Sequence, residues 1–197
     1  VITIGVLALQ GNFAKHMQMV ERLSCRCKEV RTADELFACD ALIIPGGEST
    51  VISRLILKNE LKELLFLFGK SKPIFGTCAG LILLAKEGLL NLLDVEVKRN
   101  AYGRQVDSFL ASCEVCLHGE KKSAEAFFIR APKITRLLSK EVEVLSRFEG
   151  DPVFVKQGHI FAASFHPELT NDLTIHNFFV EEVLLCKRRK KVSHARQ

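Results

Sequence analysis

The sequence predicts an α/β fold in three layers: a mostly parallel sheet with helices on both faces, and antiparallel additions in the second half of the chain. Three observations predict it. Short apolar, β-type runs end in glycine-bearing turns; helix-spaced apolar residues follow these turns directly; and the second half of the chain changes to short β-type runs separated by turns.

Val1 to Ala8 is a β-branched and apolar run closed by Gln10-Gly11-Asn12, and Phe13, Met17, Val20 and Leu23 then keep helical spacing over Phe13 to Leu23. Cys25 and Cys27 alternate on a further strand and read as structural. Ala41 to Ile44 stops at Pro45-Gly46-Gly47, after which Ser49-Thr50 is suited to cap a helix carrying Val51, Ile52, Leu55 and Ile56. Leu61, Leu64, Leu65 and Phe68 continue helically, and Pro73 to Gly76 reads as a strand leading straight into a helix over Ala79 to Lys86. Repeated strand-to-helix units favour parallel pairing, because a parallel neighbour needs a long crossover and the helices then cover both faces.

The later β-like stretches are Asp94 to Lys98, Phe109 to Leu117, Ala126 to Ile129, Val142 to Phe148, Val153 to Lys156 and Ile160 to Ser164. Turns at His118-Gly119, Glu149-Gly150 and Gln157-Gly158 mark several as antiparallel additions. Asp172 to Cys186 closes the domain as a helix with Leu173, Phe178, Phe179, Val183 and Leu184 inward. Residues 1–186 are expected as one domain and 187–197 as a basic, flexible tail.

The 197 residues, 48% hydrophobic, suffice for one sizeable core. No apolar run reaches the roughly 18 residues of a membrane helix, and Ile2 to Leu9 has neither a basic leader nor a cleavage site, so an unexported protein away from membranes is expected. Seven scattered cysteines fit reduced thiols in the cytoplasm better than disulfides. The net charge of +5 points to a polyanion until its location is considered. Lys187, Arg188, Arg189, Lys190, Lys191 and Arg196 stand in a tail without acids, and the remainder is close to neutral, which argues against a nucleic-acid-binding face.

Gly76-Thr77-Cys78-Ala79-Gly80 lies between a strand and a helix and has the G-x-nucleophile-x-G form of a nucleophile elbow, with cysteine as the nucleophile. Glycines two before and two after let backbone segments approach without a Cβ clash. The helix that starts at Cys78 favours its thiolate and offers the Ala79 N–H to an oxyanion hole. Alone, the pattern does not separate a nucleophile from a buried small hydrophobe. Ser164-Phe165-His166-Pro167-Glu168 decides between them, because it follows an apolar strand whose end should share the sheet edge with Cys78. A cysteine hydrolase needs a histidine to handle the thiol proton and a carboxylate to hold that ring's tautomer. His166 and Glu168 supply the pair, with Pro167 stiffening the link. Cys113-x-x-Cys116-x-His118 lacks the second pair of a zinc site, so no metal is expected.

The joint presence of G-x-C-x-G and a later H-P-E resembles the class I glutamine amidotransferases, which carry a Cys-His-Glu triad on a flavodoxin-like sheet. Pro45 to Thr50 (P-G-G-E-S-T), Gly5 to Gly11 (G-V-L-A-L-Q-G), Arg99 to Phe109 (R-N-A-Y-G-R-Q-V-D-S-F) and Phe128 to Pro132 (F-I-R-A-P) narrow the resemblance to the glutaminase subunits of pyridoxal 5'-phosphate synthase. It extends from Ile2 to about Val183. The resemblance implies Cys78 as nucleophile, His166 as acid/base and Glu168 as its orienter. It implies L-glutamine as substrate, held by Gly46, Gly47, Glu48, Arg104, Ile129 and Arg130, and an oxyanion hole from Ala79 and Gly47. No cofactor is implied. The partner implied is a (β/α)8-barrel synthase subunit that takes the ammonia, and Gln10 and Asn12 are expected near the same sheet edge, facing it. The sequence departs from the family where 86–92 is short, where Asn91 replaces a glycine before Leu92-Leu93-Asp94, and in its basic tail. Other readings stay open at this point: the same chemistry for another synthase, a non-catalytic subunit on the fold, or a cysteine peptidase.

Overall fold

The structure, a computed structural model, describes residues 2–99, 101 and 108–194, with side chains up to residue 190. The strands are β1 (Thr3–Leu7), β2 (Arg26–Val30), β3 (Ala41–Ile44), β4 (Ile74–Thr77), β5 (Val95–Lys98), β6 (Phe109–Leu117), β7 (Glu120–Phe128), β8 (Lys133–Leu137), β9 (Glu143–Phe148), β10 (Asp151–Gln157) and β11 (Ile160–Ala163). The helices are α1 (Phe13–Arg22), α2 (Ala33–Phe37), α3 (Ser49–Lys58), α4 (Lys62–Ser71), α5 (Ala79–Leu84) and α6 (Thr174–His194), with a 3-10 turn at Pro167–Leu169.

One sheet runs in the order β2-β1-β3-β4-β11-β10-β9-β6-β7. Its first five strands are parallel, and the remainder pair antiparallel. Alternation along the inner strands sends successive residues into two cores. Ile43, Phe75 and Phe161 enter a core with α1 and α6, whereas Leu42, Ile74 and Ile160 enter a second with α2 to α5. All residues of β3, β4 and β11 are buried, as expected where helices cover both faces.

Several elements differ from the sequence reading. Ile160–Ala163 is not an antiparallel addition on both sides: it pairs parallel with β4 and antiparallel with β10, joining the two halves of the sheet. The segment at Val95–Lys98 lies outside the main sheet in a two-stranded ribbon with β8, which the sequence reading lacks. α2 is also additional, and Thr32 and Glu35 close a capping box at its start. Glu48, not Ser49 or Thr50, is the N-cap of α3, without a side-chain cap bond. α5 stops at Leu84, two residues early. α6 continues past Cys186 to His194; Lys187 reaches Asp40 at 2.8 Å and Lys190 bonds the Ser71 carbonyl. Leu184 on α6 is exposed, not inward. Asn91 takes the left-handed φ of 46°, which asparagine tolerates better than most residues.

Candidate active site

The C-terminal ends of β1, β3, β4 and β11 meet at one edge, where open α/β sheets bind ligands. β4 turns into α5 at Cys78 with φ 47° and ψ −99°, a conformation that a non-glycine residue holds only when its surroundings enforce it. The surroundings are tight. A Cβ on Gly80 would lie 2.3 Å from the Ile44 carbonyl oxygen, and one on Gly76 would lie 2.6 Å from the Gly80 carbonyl carbon. The Cys78 N–H donates to the Ala163 carbonyl at 2.8 Å, so β11 pins the elbow. Ala79 is the first residue of α5, whose opening N–H groups lack helical acceptors.

β11 delivers His166 to the same edge, and its N–H donates to the Phe127 carbonyl of β7 at 2.8 Å. The ring stands with the Cys78 side chain against Gly46, and its Nδ1 lies 2.7 Å from Glu168 Oε1. Cys78, His166 and Glu168 are thus one chain of contacts, all buried. Burial opposes charge on His166, but the hydrogen bonds to Cys78 and Glu168 and the Glu168 charge outweigh it and push its pKa up to about 10. Burial likewise opposes ionisation of Glu168, yet the neighbouring His16 and His166 hold it down at about 2. Glu168 is therefore an anion at neutral pH.

Beside this chain opens a cleft of about 560 Å³, lined among others by Cys78, His166, Gly47, Glu48, Ile129 and Arg130. Gly46 sits against the catalytic candidates, where a Cβ would be 2.3 Å from His166 Cε1. Its carbonyl accepts the Asn12 N–H at 3.0 Å, and the Glu48 N–H donates to Gln10 Oε1 at 3.0 Å, so the Gln10 to Asn12 turn clamps both sides of Gly47. Arg130, at φ 45°, pairs with Glu48 at 3.2 Å across the cleft mouth. Arg99 also lines the cleft and donates to Thr50 Oγ1 at 3.4 Å. Arg104 lies outside the described residues, as does most of the string from Asn100 to Asp107. Apart from Ala79 and Arg104, the predicted site residues line or adjoin this one cleft. The string Cys113-x-x-Cys116-x-His118 is split: Cys113 is buried, Cys116 is exposed, and His118 contacts Glu181 and Glu182.

The sequence reading left out His16, Thr77 and His176, which are buried directly behind Glu168. A signal that the two histidines need partners, though not which ones, existed. His16 and His176 fall within the apolar stripes of α1 and α6, and a polar residue on a buried stripe requires a partner. The buried side of α1 is His16, Met19 and Val20, with Phe13, Met17 and Leu23 packed at its margin.

Comparison with known proteins agrees with the geometry. The model of the SNO glutamine amidotransferase family matches residues 6–185. The pyridoxal 5'-phosphate synthase subunit PdxT of Francisella tularensis subsp. tularensis (strain WY96-3418) is 47% identical over 178 residues, covering 90% of this chain and 97% of the relative. The same values hold for PdxT of Francisella tularensis subsp. novicida (strain U112). A crystal structure described as a glutamine amidotransferase superposes with a TM-score of 0.84 at 44% identity, covering 91% of this chain and 98% of the other. PurLQS from Thermotoga maritima, at a TM-score of 0.63, 18% identity and coverage of 93% and 95%, shares the fold. Because the matched span takes in the elbow, the H-P-E segment and nearly every strand of the sheet, the chain belongs to the SNO glutamine amidotransferase family.

Proposed function

We propose that the chain is a glutaminase that hydrolyses L-glutamine to L-glutamate and ammonia for a pyridoxal 5'-phosphate synthase. The observation that carries this reading is the buried chain Cys78–His166–Glu168, with Nδ1 to Oε1 at 2.7 Å, opening on a cleft that holds a facing cation and anion. Free glutamine is a zwitterion. Its carboxylate matches Arg130 and its ammonium matches Glu48, so the substrate replaces the ion pair now formed across the cleft. Arg104 is proposed as a further contact for the substrate.

The Cys78 sulfur attacks the side-chain carboxamide carbon. The oxyanion is met by the Ala79 N–H at the start of α5 and by a Gly47 peptide turned toward it. His166 gives its proton to the departing amine, ammonia leaves, and a γ-glutamyl thioester remains. Water then attacks with His166 as base, releasing glutamate and the thiol. Glu168 keeps the His166 Nδ1–H in place throughout. No group beyond the chain's own residues is required.

Ammonia delivered to solvent is lost, so activity is proposed to rise when a (β/α)8-barrel synthase subunit docks at the sheet edge carrying Cys78. No helix among the described residues is long and apolar enough to cross a membrane. The seven cysteines are all free, which fits a cytoplasmic setting. Glutamate release should be measured for the purified chain alone and with the pyridoxal 5'-phosphate synthase subunit, with Cys78→Ala as control. Stimulated, Cys78-dependent release is expected. Release stimulated only by a different synthase would reassign the pathway, and no Cys78-dependent release in any mixture would overturn the glutaminase reading.

A further inference from the structure

Behind Glu168, on the side away from His166, lies a set of polar groups that the proposed reaction leaves unused. His16 from α1 and Thr77 from β4 are fully buried, and His176 from α6 is 1% exposed. His16 Nε2 is 3.1 Å from Thr77 Oγ1 and 3.3 Å from Glu168 Oε2, an oxygen without a hydrogen-bond partner among the described residues. His16 Nδ1 is 2.9 Å from His176 Nε2, and His176 Nδ1 is without a partner among the described residues. Thr77 Oγ1 also accepts the Gly46 N–H at 3.1 Å.

Burial outweighs the Glu168 charge and drives the pKa of each ring below its ordinary value, that of His176 to about 3, which favours the neutral form of both. Two neutral imidazoles sharing one hydrogen bond admit two arrangements. If His16 Nδ1–H donates, the His16 Nε2 lone pair, which the Thr77 O–H can meet, also faces the Glu168 carboxylate, and His176 keeps an unmet buried N–H on Nδ1. Each such defect is destabilising. If His176 Nε2–H donates, His16 carries its proton on Nε2, facing Thr77 and Glu168, and the unpartnered His176 Nδ1 is only a lone pair. The second arrangement removes both, with Thr77 Oγ1 accepting from the His16 Nε2–H and the Gly46 N–H and its own O–H left without an acceptor among the described residues.

We propose that His16 is a positioning residue of this active site: its Nε2–H, aimed by His176, holds the far oxygen of Glu168 and the Thr77 hydroxyl, and through Thr77 ties the triad to the Gly46 peptide. One neutral side chain thereby sets the carboxylate that orients His166 and the loop beside the nucleophile. The groups facing Glu168 are His166 on its own segment, Asn12 and His16 at the start and on the inner face of α1, His176 on α6, and Cys78 beyond His166. Arg22 and Asp172 act on His176 from farther out.

The kinetic part of the test rests on the glutaminase reading; the spectroscopic part does not. Nitrogen-15 NMR of the histidine side chains at neutral pH should show His16 and His176 each protonated on Nε2, with His176 not titrating between about pH 5 and 8. A proton on His16 Nδ1 overturns the proposal. In the complex with the synthase subunit, His16→Leu should lower kcat about tenfold or more, leave KM within about twofold, and move the acid limb of kcat/KM up by about one pH unit. His16→Gln, which presents an N–H near the Nε2 position, should recover most of kcat and return the acid limb. Equal losses in both variants, or an unmoved acid limb in His16→Leu, reduce His16 to a packing residue. Should His16→Leu fail to fold, His16→Gln and the NMR tautomers decide. Absence of Cys78-dependent release by the unsubstituted complex would instead count against the glutaminase reading, with the tautomers still testing this one.

Discussion

Glu168 has two faces, and each meets an imidazole: His166 toward the cleft and His16 toward the core. The negative charge between them gives the site its orientation. Glu168→Gln keeps the shape but removes that charge and offers an amide of the wrong polarity to Nδ1–H. A loss of about 10²–10⁴ in kcat with little change in KM is expected from steady-state glutamate release. The same buried groups set a pH window for stability. His176 titrates near 3 in the fold and near 6.5 when unfolded, so its neutral form is stabilising above 6.5, and that stability is lost as pH falls toward 3. Glu168 adds a second loss at lower pH, from its unfolded value of about 4.3 down to about 2. The His176 contribution alone amounts to about 2 kcal/mol lost between pH 8 and pH 5, so in thermal melts the unsubstituted chain should lose about that much stability relative to His176→Leu over that interval. His166 acts in the opposite direction: its stabilisation is complete below about 6.5 and disappears as pH rises through 10. At this scale Cys78, His166 and Glu168 were legible because spacing and neighbouring motifs mark them. His16 and Thr77 were not, because a buried polar residue identifies its partner only after the chain has folded.

The β4 to α5 elbow and α6 show how neighbours set element boundaries. Gly80 packs against backbone, not a movable side chain, since its Cβ would meet the Ile44 carbonyl at 2.3 Å. Gly80→Ala must therefore shift β3 or the elbow. A cost of about 1–3 kcal/mol is expected by denaturant unfolding, together with a fall in kcat as Cys78 moves off line. α6 outruns its apolar stripe because its far end has its own anchors, Asp40 for Lys187 and the Ser71 carbonyl for Lys190. Asp40 is partly buried, which alone would raise its pKa, but Lys187 and the Thr3 N–H reverse the shift. The pair is partly exposed, so Lys187→Ala should cost no more than about 1 kcal/mol in the same unfolding measurement, less in high salt. These anchors are separated from the helix by more than a hundred residues, and no reading of the local run Lys187 to Lys191 contains them. Helix periodicity located α1 to within one residue and the presence of α3 and α4, but not the break between them at Asn59 to Leu61. It could not locate α2, which is five residues long and rests on its Thr32–Glu35 capping box, a local signal present in the sequence.

Across the whole molecule, β11 is the joint on which the site depends. It is parallel to β4 on one side and antiparallel to β10 on the other, which puts the ends holding Cys78 and His166 side by side. Native-state hydrogen exchange should find the amides of β3, β4 and β11 among the slowest, opening only with global unfolding, and those of the β6–β7 hairpin tip much faster. Slow exchange confined to other strands would contradict this picture of the core. The sequence by itself determined the α/β class, the parallel first half and the residues at the elbow and the H-P-E turn. Each of these rests on local physics: side-chain periodicity, turn glycines and the fixed spacing that a nucleophile elbow requires. Only the tertiary structure decided that β5 leaves the sheet to pair with β8, that β11 joins its two halves, and that His16, Thr77 and His176 gather behind Glu168. Those outcomes depend on contacts between distant residues, His16 with Glu168 and with His176 foremost, and such contacts exist only once the two cores have closed on the sheet.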